Sequence, residues 1–158
     1  MNEDSGYGLP IVSLVLAITL FQWIAGGFSS YWAPRLIELT LLHWVLWHPE
    51  RFGIVWAFGI GILINLLEGA PLGSASLGLA LAAYFVTSYQ ETARQLDPVL
   101  QSLMVFVLLA IAAATESVLQ ALAGIPTAGL SYLLGVGVSA LLWKPLSELI
   151  LLLTRRLA

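Results

Sequence analysis

Long apolar runs alternate along this chain with short polar, glycine- or proline-rich breaks, and the breaks define the elements. The first apolar run extends from about Leu9 to Phe28. A second, from about Pro34 to Trp47, is short and carries Glu38 and His43. Pro34 suits the first helical turn, where its missing N–H would have no partner anyway. Pro49, Glu50 and Arg51 end that run in a tight polar turn. A third run, Phe52 to Leu67, stops at Glu68-Gly69-Ala70-Pro71-Leu72-Gly73, which is dense in turn-formers. The fourth covers about Ser74 to Tyr89, and the stretch from Gln90 to Pro98, with Glu91, Arg94 and Asp97, is the most polar of the chain. A fifth run spans Val99 to Ala123 and a sixth Ala128 to Thr154, parted by Gly124-Ile125-Pro126-Thr127. A spanning helix needs about 20 mostly apolar residues. The pattern therefore predicts an all-α integral membrane protein, a polytopic bundle of about six transmembrane helices in a single domain over 1–158. The second and third helices are the shortest and are the ones that could instead form a re-entrant pair.

Composition sharpens this. The chain is 59% hydrophobic and only 9% charged, with a mean hydropathy of +0.93. Soluble domains carry about 25% charged residues, so this chain cannot cover a water-facing surface. A net charge of −3 has the wrong sign for tracking phosphates, so no nucleic-acid partner is expected. There is no cysteine, which excludes disulfides and thiolate chemistry. Glu3 and Asp4 precede the first run, so it does not read as a cleavable signal peptide. With an even number of spans both termini share one side. That side carries Arg51, Arg94, Arg155 and Arg156 against Arg35 on the other, so both ends are expected in the cytoplasm. Trp23, Tyr31, Trp32 and Tyr132 then fall at the outer interface, and Trp44, Trp47, Trp56 and Tyr89 at the inner one.

Lipid tails are as apolar as leucine, so membrane helices associate through small residues and a few polar contacts. Small residues recur at four-residue spacing in Ser74, Gly78 and Ala82, in Ser131, Gly135 and Ser139, and in Ala57 with Gly61. Gly61, Gly78 and Gly135 are thus the expected helix-packing positions. The second helix has no such stripe and is bulky nearly all round, which predicts a surface facing lipid or another protein. Trp44, Trp47, Leu72 and Gly73 are accordingly the candidate partner contacts.

A charge near the bilayer centre costs at least ~2.5–3.5 kcal/mol, so each needs a reason. Arg35, Glu38, Asn65, Glu68 and Glu116 all fall toward the outer ends of their helices and form a candidate structural polar cluster. Arg35 can pair with Glu38 on its own helix, or with Glu68 or Glu116 across the bundle. A cluster of this kind serves either as a clamp between helices or as a site for a cation or substrate. His43 has no second ligand at metal spacing and reads as a packing residue. No G-x-S-x-G, H-E-x-x-H or Walker-type glycine loop occurs. Neither an enzyme, a metal nor a cofactor is expected.

One block says more. The second helix reads Pro34-Arg35-Leu36-Ile37-Glu38-Leu39-Thr40-Leu41-Leu42-His43-Trp44-Val45-Leu46 before Pro49 closes it. The third contains Gly59-Ile60-Gly61-Ile62-Leu63-Ile64-Asn65-Leu66-Leu67-Glu68-Gly69-Ala70-Pro71-Leu72-Gly73. This resembles the bacterial rod shape-determining protein MreD family. In that pattern a proline opens a short helix, a Pro-x-Arg-like turn follows, and a glycine-rich helix ends in Asp-x-x-x-Gly-x-x-Leu-Gly. The family's acidic residue is Asn65 here, with Glu68 at nearly the same depth. Helix number and order, Pro145 in the last helix and the basic tail agree over nearly the whole chain.

The resemblance implies a fold similar to the substrate-binding membrane subunits of vitamin transporters. It implies a non-enzymatic scaffold of the rod, or elongation, machinery in the inner membrane. Such a scaffold is expected to bind MreC, a single-span periplasmic protein, and through it to meet MreB, RodA and a penicillin-binding transpeptidase, helping control cell shape and peptidoglycan synthesis. The alternative is a vitamin-like, small-molecule-binding subunit of a transporter, with Glu38, Asn65, Glu68 and Glu116 around the ligand.

Overall fold

In a computed structural model, residues 7–27, 34–127 and 132–157 are described. Every regular element among them is helical: α1 (Gly8–Gly27), α2 (Leu36–Trp47), α3 (Ile54–Glu68), α4 (Ser74–Ser88), α5 (Gln90–Gln95), α6 (Pro98–Leu122) and α7 (Tyr132–Leu157). Expectations resting on Glu3, Asp4, Phe28, Tyr31, Trp32, Ala128 and Ser131 lie outside the described residues. Two stretches, Pro98–Leu122 and Leu133–Arg156, are long and apolar enough to cross a bilayer. The other apolar helices are shorter. At about 1.5 Å per residue the 12-residue α2 extends only ~18 Å.

The breaks work as turn chemistry requires. Pro98 opens α6 from its first turn. Gly69 ends α3 at φ 66° and Gly73 precedes α4 at φ 99°, a left-handed backbone that side chains with a Cβ disfavour. Between them the Ala70 N–H returns to the Asn65 carbonyl at 3.0 Å. The α2–α3 turn closes on the His48 carbonyl, which accepts from the N–H groups of Arg51 at 3.1 Å and Phe52 at 3.0 Å. The polar stretch after α4 forms the short helix α5, and α7 continues through Pro145.

Packing runs in a chain of neighbours, α3 on α4, α4 on α6, and α6 on α7, with α2 touching α1, α4, α5 and α7. The second helix is therefore the centre of the bundle. Every residue from Ile37 to Leu46 is buried, and Trp44 is 3% exposed, with its indole N–H donating to Ser13 at 2.8 Å. This corrects the expectation that α2 faces lipid or a partner, and removes Trp44 from the candidate contacts. A helix that is apolar all round is suited to a protein core as well as to lipid. The bulky surface of α2 is here covered by α1, α4, α5 and α7.

Small residues allow two of the closest approaches. A Cβ on Gly61 would stand 2.3 Å from the Ser76 Cα, and one on Gly78 would stand 2.6 Å from the Ala112 carbonyl oxygen. No side chain fits at either position while the helices keep this spacing. Gly135 is buried near the start of α7, and its carbonyl accepts from the Ser139 hydroxyl at 2.6 Å.

Candidate functional site

At one end of the bundle a polar cluster joins α2, α6 and α7. Arg35, just before α2, donates through Nη1 to Glu38 Oε1 one turn later. Its Nη2 reaches Glu116 Oε2 of α6 at 3.2 Å. The Arg35 backbone N–H donates to Ser139 Oγ of α7 at 2.8 Å. Gln120, one turn beyond Glu116, donates to Glu116 Oε1 at 3.1 Å. The side chains are 12% exposed for Arg35, 5% for Glu38 and 2% for Glu116, so this is a desolvated ion-pair network. Its geometry suits guanidinium, whose planar fork reaches two carboxylates at once where an ammonium offers a point charge. Formally ionised, Glu38 and Glu116 exceed Arg35 by one negative charge.

Glu68 lies near this network without joining it. It is exposed, and it lines a pocket of about 20 Å³ together with Arg35, Glu38 and Ile64. Glu38 Oε2 is buried and has no hydrogen-bond partner among the described residues.

Asn65 has a different task. It is fully buried, and its carboxamide oxygen accepts the N–H groups of Gly73 at 3.1 Å and Ala75 at 3.3 Å. Its amide donates to Ser74 Oγ at 2.9 Å. Asn65 thus caps the start of α4 from the preceding helix, satisfying N–H groups that a helix leaves open at its first turn. That work needs an acceptor, which a neutral carboxamide supplies.

Sequence reading did not find several further ties. His43 Nδ1 lies 3.0 Å from Ser147 Oγ, in hydrogen-bond contact between α2 and α7. Trp143 Nε1 donates to Gln101 at 3.0 Å, joining α7 to α6. Arg94 of α5 donates to the carbonyls of Leu46 at 2.8 Å and Trp47 at 3.0 Å, capping the end of α2, and its guanidinium lies 5.6 Å from the Trp47 ring centre. At the same end, Arg51 lies over the Tyr7 ring at 5.5 Å. The start of α1, the α2–α3 turn and α5 are thereby gathered with two of the basic residues.

The remaining expected contacts separate. Trp47 is half-buried under Arg94, and Leu72 is 68% exposed at the tip of the α3–α4 turn, with the half-buried Gly73 beside it. A second concavity, about 330 Å³ and almost wholly apolar, lies on the α4–α6 flank between Phe85, Tyr89, Met104 and Val107. Among the described residues no group of three or more His, Cys, Asp or Glu side chains converges as a metal site would require.

Comparison with known proteins gives the chain a family. A rod shape-determining protein MreD from Haemophilus influenzae is 30% identical over 97 residues, covering 61% of this chain and 59% of that protein, less than two thirds of its length. No solved structure matches the chain. The family described as rod shape-determining protein MreD matches residues 5–153. An apolar, all-helical chain with two helices able to cross a bilayer and a family match over nearly its whole length is a membrane protein of the rod shape-determining MreD family.

Proposed function

We propose that this chain is a non-enzymatic scaffold subunit of the rod complex in the bacterial inner membrane, crossing it six times with both termini cytoplasmic. In this reading it binds MreC and helps control cell shape and peptidoglycan synthesis. MreB, RodA and the penicillin-binding transpeptidase are reached through the same assembly. The observation that carries the reading is where the buried polar groups point. Arg35, Glu38, Glu116, His43, Ser139 and Ser147 are engaged with one another across helices rather than arranged around a substrate-sized cavity.

The proposed orientation rests on the basic end. Arg51 and Arg94 gather beside Tyr7 and Trp47, and positive residues favour the cytoplasmic side. The Arg35 cluster and Leu72 then lie toward the periplasm. Leu72 is the exposed apolar position there, and a single-span periplasmic partner passes that level. The transporter alternative places its ligand at the polar cluster, which has little room for one. Ligand pockets for small molecules usually measure ~300–1,000 Å³, whereas the pocket beside the polar cluster holds about 20 Å³.

Purification from native membranes under mild detergent tests the proposal. The expected result is stoichiometric recovery of a single-span periplasmic protein. Recovery of a bound small ligand or an ATPase module in its place would refute it.

A further inference from the structure

We infer that the pocket between Glu38 and Glu68 receives a lysine-type ammonium carried by the partner's membrane segment near the periplasmic interface. The inference rests on the scaffold reading and adds to it a recognition chemistry. Three observations lead to it. Glu38 is 4% exposed, and its Oε2 is buried without a hydrogen-bond partner among the described residues, while Oε1 is taken by Arg35. A buried acceptor left unmade costs the protein its full desolvation penalty, so this oxygen awaits a donor.

The second observation is size. The pocket Glu38 lines measures about 20 Å³, and ~10–15 Å³ of such space accommodates one water-sized group. An ammonium head is of that size and brings three donors, whereas the guanidinium fork is larger and planar. Phe21, Ile37 and Ile64 are the apolar part of the pocket's lining, beside Glu38, Glu68 and the Arg35 that Glu38 and Glu116 already neutralise. A lysine keeps an aliphatic stem against such a surface while its charged head reaches the polar spot.

The third observation is charge. Glu38, Glu68 and Glu116 surround one guanidinium, an excess of two negative charges when all are ionised. Arg35 is turned to Glu38 Oε1 and Glu116 Oε2. Glu68 lines the same pocket and is exposed, so a second carboxyl is open to an incoming cation.

Two measurements test this. In the first, full-length wild type and the variants Glu38→Gln, Glu68→Lys and Glu116→Gln are purified with the co-expressed single-span partner. Glu38→Gln and Glu68→Lys are expected to recover at least tenfold less partner than wild type. Glu116→Gln, altered in the clamp but not in the pocket, is expected to retain it. Wild-type recovery by both pocket variants, or equal loss in Glu116→Gln, would overturn the inference while leaving the scaffold reading intact. If wild type itself recovers no such partner, the scaffold reading fails and the inference falls with it.

The second measurement needs no partner. The melting temperature of the purified chain is compared in n-butylammonium and tetramethylammonium chloride at equal ionic strength. Butylammonium is expected to raise it more, and the difference is expected to vanish in Glu38→Gln. Equal melting temperatures in the two salts for wild type, or the same difference in Glu38→Gln, would contradict the pocket's assigned chemistry.

Discussion

Replacing Gly61 by alanine sets two effects of known size against each other, and Gly59 on the same helix isolates one of them. Both residues lie inside α3. Alanine is favoured over glycine in a helix interior by about 0.8–1 kcal/mol. At Gly59 a Cβ meets nothing within 4 Å, so Gly59→Ala keeps that gain. At Gly61 the added Cβ would stand 2.3 Å from Ser76 Cα, 2.6 Å from Ser76 N and 3.0 Å from the Ala75 carbonyl carbon. All three are backbone atoms, so no rotamer change relieves the clash. Restoring a carbon contact of ~3.5 Å requires α3 and α4 to separate locally by roughly 1 Å. A gap of ~0.5–1 Å forfeits a quarter to a half of each dispersion contact lining it, and overpacking costs typically ~1–3 kcal/mol, occasionally more. The separation would also strain the Asn65 bonds to Gly73 and Ala75. Gly61→Ala is therefore expected to destabilise by ~1–2 kcal/mol net and Gly59→Ala to stabilise by up to ~1 kcal/mol. Thermal unfolding of both variants in one detergent reads the opposite signs. A Gly61→Ala protein that melts with or above Gly59→Ala would refute the packing argument.

Four further outcomes follow from the polar ties. Arg35→Ala leaves Glu38 and Glu116 without their cation and should cost ~3–5 kcal/mol, read as a large fall in melting temperature. The triple replacement of Arg35, Glu38 and Glu116 by leucine should recover most of that loss. Asn65→Leu leaves the Gly73 and Ala75 N–H groups without their acceptor and should cost ~1–3 kcal/mol, whereas Asn65→Asp, which keeps the acceptor oxygens, should lose less in the same melting assay. Arg94→Ala uncaps the Leu46 and Trp47 carbonyls, and hydrogen exchange should speed selectively at the end of α2.

The helices were legible because glycine, proline and charge interrupt the apolar runs where the chain turns. α5 was not, since six residues with a single apolar one, Ala93, give no period to read. The central place of α2 was also hidden, because leucine, valine and tryptophan serve a protein core and a lipid face equally. Glu38 and His43 held the available signal: polar side chains in an otherwise apolar helix need protein partners, and both have them here. Depth along the helices brings Arg35, Glu38 and Glu116 together in the sequence, but it does not single out Gln120, four residues after Glu116. Asn65 shares that depth, near the outer end of its helix, without sharing the network. The left-handed turn at Gly69 brings the chain back so that the start of α4 lies against Asn65 instead. Ser147 as the partner of His43 is a contact 104 residues away that no local spacing encodes.

The central claim is that the outer surface of this bundle holds a neighbour while its second helix is sealed inside. Site-specific photocrosslinking in native membranes addresses it directly, with a probe at Leu72, 68% exposed, and another at Trp44, 3% exposed. An adduct with a single-span periplasmic protein at Leu72 and none at Trp44 is the predicted result. A bare Leu72, or an equal adduct from Trp44, would contradict it.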